Sequence, residues 1–189
     1  MSVIRPFQAT DLLRINNVNI DAWTETYRAS FYLEYCATWP DFSCVVTDAE
    51  EDKITAYVIG KHEPPEPHPE HHGHVTALSI SPRYRSLGLA RKLMNFLETR
   101  SGPQGWDTWF LDLFVRCNNH RAIAMYEAMG YSVYRRVVDY YNGMEGLGKD
   151  PGPDEVDGFD MRKSMTRDDH KHIRANGREC RVTPREIYQ

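Results

Sequence analysis

No apolar run in this 189-residue chain approaches the roughly 18 residues that a membrane-spanning helix needs. Met1-Ser2-Val3-Ile4-Arg5-Pro6 lacks the apolar core of a signal peptide, so the expected compartment is the cytosol. Cysteine is sparse. Cys36, Cys44, Cys117 and Cys180 form no CxxC pair or other zinc spacing and are expected as reduced thiols, several of them in the core. Excess positive charge is also missing. A net charge of −4 gives no global argument for nucleic acid or an anionic membrane. Histidines at 62, 68, 71, 72 and 74 invite a metal reading, but prolines separate most of them and no acid or cysteine completes a known ligand spacing. No metal is expected. There is no internal repeat. What is present is a globular composition, 41% hydrophobic and 12% aromatic, long enough for one domain with a sizeable core.

The pattern along the chain is that of one mixed α/β domain over residues 1–165, followed by a charged tail, Thr166–Gln189, with little periodicity. Val3–Phe7 reads as a strand, and Thr10 or Asp11 can cap a helix carrying Leu12, Ile15 and Val18. Phe31, Tyr32, Tyr35, Cys36 and Trp39 make a second helical stripe that stops at Pro40. Phe42–Thr47 and Lys53–Lys61 follow as a hairpin around an acidic turn. The proline-rich segment His62–Gly73 is expected as an exposed loop. Leu89, Leu93, Met94 and Leu97 define a helix, Trp109–Cys117 a strand, and Ala122, Met125, Tyr126 and Met129 a further helix capped by Asn119. Gly130 should end that helix in a left-handed conformation. Tyr131–Tyr141 is expected as a strand, Asn142–Gly158 as a loop and Phe159–Lys163 as the last strand.

The most informative stretch runs from His74 to Ala90: a strand, a turn at Ser81-Pro82, then Arg85-x-x-Gly88-x-Ala90 opening an amphipathic helix. A glycine turn at a helix N-terminus gathers backbone N–H groups and the positive end of the helix dipole, which suits a phosphate or pyrophosphate. Gly88 and small Ala90 would let the backbone approach such an anion closely. A second half follows in order: Leu111 to Asn119, then Ala122 to Gly130-Tyr131 with Tyr126 between them.

These two halves resemble the acetyl-CoA-binding pattern of the GCN5-related N-acetyltransferase (GNAT) superfamily. The resemblance narrows further to the NatB class of N-terminal acetyltransferases through Arg5-Pro6-Phe7, Leu12 to Asn19, Thr24-Glu25-Thr26-Tyr27, Phe31-Tyr32-Leu33, His72 to Ser79, Asp112 to Arg116, Tyr131 to Tyr134 and Asp160 to Lys163. It covers about Val3 to Met165; the 62–73 loop, the 142–158 loop and the tail do not clearly follow it. It implies a GNAT fold, with a mixed central sheet, splayed central strands and flanking helices. Acetyl-CoA would be the co-substrate, held by Leu78, Ser79, Ile80, Arg85, Ser86, Leu87, Gly88, Leu89, Ala90, Asn118 (or Asn119) and Tyr126. Backbone groups of Leu78 and Ile80 would pair with the pantetheine amides, and a strand-end bulge there would point an N–H, that of Leu78, at the thioester oxygen.

The implied reaction is attack of a protein's α-amine, at termini beginning Met-Asp, Met-Glu, Met-Asn or Met-Gln, on the acetyl thioester. Tyr126 is expected to hydrogen-bond or protonate the leaving thiolate; the plain alternative is a core tyrosine. The base stays open among His74, Glu25 and an ordered water, because Phe114 stands where some related enzymes carry a histidine. His74 has a second candidate role, reading the acidic or amide second residue. Thr76, on the same side of the strand, can add a hydroxyl to that contact. Tyr140 and Tyr141 would clamp the substrate backbone, and Glu25, Thr26 and Tyr27 would line the other wall, with apolar groups holding the methionine. A large helical-repeat auxiliary subunit that brings the complex to ribosomes is implied as partner. Rival readings are a GNAT enzyme with other N-terminal or lysine specificity, and a non-catalytic acyl-CoA-binding subunit.

Overall fold

The computed structural model describes residues 2–20, 23–63, 71–141, 152–169 and 172–187. They fall into two compact units, Met1–Thr108 and Trp109–Gln189. His68 and most of the expected 142–158 loop lie outside the described residues.

In the first unit β1 (Ser2–Pro6), β2 (Ser43–Asp48), β3 (Lys53–Glu63) and β4 (His72–Ile80) pair antiparallel in chain order. Ile54, Ala56, Tyr57, Val58 and Ile59 are all fully buried, so β3 is covered on both faces. On one face α1 (Ala29–Thr38) brings Tyr32 and Tyr35 onto Phe7, Val45, Tyr57 and Ile59. On the other, α2 (Leu89–Ser101) buries Leu89, Leu93, Met94 and Leu97, the four positions that the helical spacing singles out.

The first expected helix is instead two 3-10 turns, Ala9–Leu13 and Ile15–Asn17. The reason is Asp11. Its carboxylate accepts two 2.7 Å hydrogen bonds from the Arg5 guanidinium and one of 2.8 Å from the Gln8 N–H, which ties the turn to β1. Burial alone would raise the Asp11 carboxyl, but these bonds hold it below the usual carboxylate range. The ends of the proline-rich segment are strand rather than loop. His62 and Glu63 belong to β3, and His72 and Gly73 to β4, paired across from each other. His62 stacks on Trp106 at 4.0 Å between ring centroids, and His71 Nε2 lies 2.8 Å from the Trp106 carbonyl. Both histidines are buried rather than exposed, His62 against the Trp106 indole and His71 against its backbone carbonyl. Among the described residues no three His, Cys, Asp or Glu gather in a metal-binding group, and no helix is long and apolar enough to cross a membrane.

In the second unit β5 (Phe110–Arg116) pairs antiparallel with β7 (Gly158–Ser164), which pairs antiparallel with β6 (Ser132–Val137). β8 (Arg181–Val182) lies parallel to β6, so this sheet is mixed. Asn119 caps α3 (His120–Glu127) as expected: its Oδ1 accepts the Ala122 N–H at 3.2 Å. Gly130 follows at φ +90°. The strand expected through Tyr141 stops at Val137. Asp139 turns the chain at φ +53°, its N–H donating to Asp157, whose carboxylate also takes a 2.6 Å bond from Arg136. Within the expected loop, residues 153–156 form a short helix, α4 (Pro153–Val156). The segment expected as a tail supplies β8 and several anchors. Arg174 donates to the Tyr134 hydroxyl at 3.0 Å, and buried Asp168 sits 3.0 Å from His172 Nδ1.

Burial pushes the thiols of Cys44 and Cys117 up to about 12, and the phenols of Tyr57 and Tyr126 upward as well. In the unfolded chain these groups ionise near pH ~8.5 and ~10. Their contribution to stability is therefore complete below the unfolded values and lost as pH rises toward the folded ones. The urea midpoint should hold level up to about pH 8.5 and fall steadily above it. A midpoint unchanged at about pH 10.5 would mean that these groups ionise within the native fold.

Candidate active site

The turn after β4 is held by its own hydrogen bonds. The Ser81 N–H donates to the Thr55 carbonyl at 2.9 Å, and Pro82–Tyr84 make a 3-10 turn. Arg85 Nε then reaches back to the Ile80 carbonyl at 3.1 Å. Ser86 and Gly88 both take left-handed backbone, φ +63° and +78°, and Gly88 caps α2. The dihedral favours glycine, and a Cβ at Gly88 would meet nothing within 4 Å, so the space beside it is open. Ser86, Leu87 and Gly88 are exposed, while Leu89 is buried and fixes the helix start. The first-turn N–H groups of such a helix have no intrahelical acceptor, and they lie at the positive end of its dipole.

β4 forms the second wall of this unit. Its Leu78 and Ile80 stand opposite Val58 and Ala56 on β3. Successive residues of an antiparallel strand turn their backbone groups to opposite edges, so these two share one edge and Ser79 takes the other. One carbonyl lone pair of Ile80 is already used by Arg85. The expected bulge exists but lies farther back. Ile59 pairs with Ala77 and Gly60 with Val75, so Thr76 is the extra residue. His74 and Thr76 are half-buried, and Thr76 Oγ1 donates to the Tyr35 hydroxyl at 3.3 Å.

Glu25 and Thr26 are exposed in the chain before α1, and Tyr27 is half-buried. Tyr27 stacks on Phe31 at 4.2 Å, and its N–H donates to the Tyr32 hydroxyl at 3.3 Å. Burial, with Glu25 nearby, pushes the Tyr27 phenol up to about 12. Beside it opens a cleft of about 300 Å³ lined by Leu12, Ile15, Asn16, Thr26, Tyr27 and Tyr32. Its lining mixes apolar carbons with the side chains of Asn16, Asn19 and Thr26.

In the second unit Tyr126 lies on the buried face of α3, edge-on to Tyr131 at 5.9 Å. The sequence leaves Asn118 and Asn119 as alternatives; the structure separates them. Asn119 is occupied as the helix cap, whereas Asn118 Oδ1 is buried and accepts no hydrogen bond from the described residues. Tyr140 and Tyr141 stand after the strand, not on it. Phe114 stacks on Tyr140 at 4.4 Å, Arg116 lies 4.4 Å over the Tyr141 ring, and the Tyr141 N–H donates to the Val156 carbonyl at 2.7 Å. Arg116 in turn donates to the Glu155 carbonyl at 2.7 Å. The bracing of both tyrosines by Phe114, Arg116 and α4 has no local sequence signal, because its parts lie some fifteen to forty positions apart. Glu25, Thr26, Tyr27, His74, Thr76 and the Arg85–Ala90 turn belong to the first unit, and Asn118, Tyr126, Tyr140 and Tyr141 to the second.

Comparison with known proteins bears on these arrangements. The acetyltransferase (GNAT) family model matches residues 12–131. The catalytic subunit of the N-terminal acetyltransferase B complex of Saccharomyces cerevisiae is 42% identical, with 99% of each chain covered. Its counterpart in Arabidopsis thaliana is 45% identical over 90% of each. Among solved structures, Naa20 of Chaetomium thermophilum in complex with a bisubstrate analogue superposes with a TM-score of 0.87 at 40% identity, covering 99% of this chain and 100% of that one. A NatB acetyltransferase complex bound to a bisubstrate inhibitor contains a chain with a TM-score of 0.83 at 39% identity, covering 98% of each. With a glycine-capped helix after β4, a bulged β4 and a buried helix tyrosine, the chain belongs to the acetyltransferase (GNAT) family and, within it, to the catalytic subunits of N-terminal acetyltransferase B.

Proposed function

We infer that this chain transfers acetyl from acetyl-CoA to the α-amine of proteins that begin Met-Asp, Met-Glu, Met-Asn or Met-Gln. The observation that carries the reading is the Arg85–Ala90 turn: left-handed glycine cap, open space and outward N–H groups at the start of a thirteen-residue helix. That geometry fits the pyrophosphate of acetyl-CoA, and Asn118 Oδ1, without a partner among the described residues, fits a polar contact to the same molecule. Relatives solved with CoA or bisubstrate analogues support the assignment.

A free α-amine has a pKa of about 7.7–8.0, so an appreciable neutral fraction exists near pH 7. The enzyme's task is then orientation more than deprotonation. The amine attacks the thioester carbon, its excess proton passes to water, the C–S bond breaks and the sulfur leaves as thiolate. Tyr126 donates a hydrogen bond to that sulfur, and the Leu78 N–H faces the carbonyl oxygen. His74 and Thr76 read the carboxylate or amide of the second residue. The Tyr27 cleft takes the methionine side chain, and Tyr140 and Tyr141 hold the peptide backbone. An auxiliary subunit, of large helical-repeat type and delivering the enzyme to ribosomes in the cytosol, docks on the first unit; Leu13, Ile20, Trp23 and Leu33 supply exposed apolar groups for it.

The test is acetyl transfer to peptides beginning Met-Asp, Met-Glu, Met-Asn, Met-Leu and Ser, and to a blocked peptide with an internal lysine, with and without the auxiliary subunit. Transfer confined to the first three is expected. Activity on Met-Leu or lysine would overturn the specificity, and acetyl-CoA binding without transfer to any peptide would overturn the enzymatic role.

A further inference from the structure

Along α1 and its approach, Tyr27, Phe31, Tyr35 and Trp39 recur every four residues. Their rings touch in series at 4.2, 4.4 and 5.0 Å between centroids. This continuous aromatic ladder starts at the methionine cleft and passes under β4. Tyr35 is its third rung and the only one of the four whose hydroxyl meets β4, through Thr76 at 3.3 Å. Lys61, paired in register with His74, places its ammonium 6.0 Å over the Tyr35 ring. Residues paired across an antiparallel ladder share a face, so His74 lies on the Tyr35 side with Lys61, and Thr76 is turned there by the bulge.

We propose that Tyr35 is a positioning residue for substrate specificity, forming with Thr76 a reversible two-hydroxyl relay that serves an acidic or an amide second residue. The proposal rests on the N-terminal acetyltransferase reading above. Each hydroxyl has one proton and can also accept. A carboxylate offers only acceptors, so Thr76 must donate its proton to the substrate and take a hydrogen bond from the Tyr35 hydroxyl. An amide can present its NH2 instead, and then Thr76 accepts from the substrate and donates to Tyr35. This contact is present in the structure and can run either way. Its 3.3 Å separation is long for a hydroxyl pair, so reversing it sacrifices little. In the acidic mode the two bonds run in one direction and polarise each other toward a charged group, which makes the Tyr35 proton worth most there. Lys61 over the ring adds positive potential on the same side, with Glu63 pairing it. The aromatic ladder keeps the hydroxyl in place because the ring itself is locked between Phe31 and Trp39.

Tyr35→Phe keeps the ring and removes only the hydroxyl. With the auxiliary subunit present, kcat/KM for Met-Asp and Met-Glu peptides should fall about tenfold, mainly through KM. For Met-Asn and Met-Gln the loss should be about threefold. The KM for acetyl-CoA should not move. In a Thr76→Val background the same Tyr35 substitution should change nothing further, since the relay is already cut. A loss equal for all peptides, or one of the same size in the Thr76→Val background, would overturn the relay and leave Tyr35 a packing residue. An unchanged Tyr35→Phe enzyme would overturn it too. A wild-type chain indifferent to the second residue would instead overturn the parent reading of specificity, and the relay with it.

Discussion

Replacing Gly88 by Asp is expected to weaken acetyl-CoA binding a hundredfold or more while leaving the chain folded. The two halves of that expectation come from different observations. Aspartate tolerates left-handed backbone, and in this chain Asp52, Asp107 and Asp139 already adopt φ of 46°, 46° and 53°. A Cβ here meets nothing within 4 Å, so the cost of the substitution is left-handed strain without a clash. The substitution therefore leaves α2 intact. It does place a carboxylate where the helix dipole and first-turn N–H groups would receive a pyrophosphate. Two unit charges about 4 Å apart repel by roughly 4 kcal/mol at an effective dielectric of ~20, about a thousandfold in affinity. Gly88→Ala is the control. It carries the left-handed strain, about 1–2 kcal/mol, without the charge, so its melting temperature should drop while much of its affinity remains. Calorimetric titration of acetyl-CoA, beside a melting curve, separates the cases. Wild-type affinity in Gly88→Asp would remove the pyrophosphate from this turn.

That prediction rests on a part of the molecule that was readable without coordinates. The α2 stripe Leu89, Leu93, Met94 and Leu97, the Asn119 cap and the Gly130 stop depend on neighbours within one or two turns, and local spacing is enough to specify them. Elements set by distant partners were not readable. Leu12, Ile15 and Val18 have helical spacing, yet Arg5 and Gln8 draw Asp11 into a 3-10 turn. His62 and His71 look like polar loop residues until Trp106, far along the chain, is laid against them.

The site divides along the same line. The left-handed helix start follows from Gly88, and the bulge was expected on β4, though its position at Thr76 is fixed by pairing with Ile59 and Gly60. Tyr140 and Tyr141 continue an apolar-rich strand pattern, so the sequence extends β6 through them. Asp139 breaks it because Asp157, eighteen residues later, accepts its N–H in the left-handed turn. Tyr35 was hidden for the opposite reason: its helical stripe is explained by the core, and only the hydroxyl contact with Thr76 marks it out.

Tyr126→Phe should cut kcat about a hundredfold with acetyl-CoA affinity unchanged, and the size of the effect tells what the hydroxyl does. Burial raises the Tyr126 phenol above its ordinary value, since α3 packs it against Tyr131 and away from water. It is therefore fully protonated at any working pH. A thiol ionises near ~8.5, below even an unperturbed phenol at ~10, so complete proton transfer from Tyr126 to the leaving thiolate runs uphill. What the geometry of a buried, neutral phenol supplies is a hydrogen bond that strengthens as charge develops on sulfur, in a site where water competes poorly. Donors of this kind contribute about 10²–10³ in kcat. The pH profile is the discriminating readout. A hydrogen-bond donor predicts that wild type and Tyr126→Phe share one profile shape up to about pH 9.5, offset by a constant factor. A true general acid predicts a basic limb in the wild type that disappears in the variant. An unchanged rate would return Tyr126 to the core, with the leaving sulfur served by solvent.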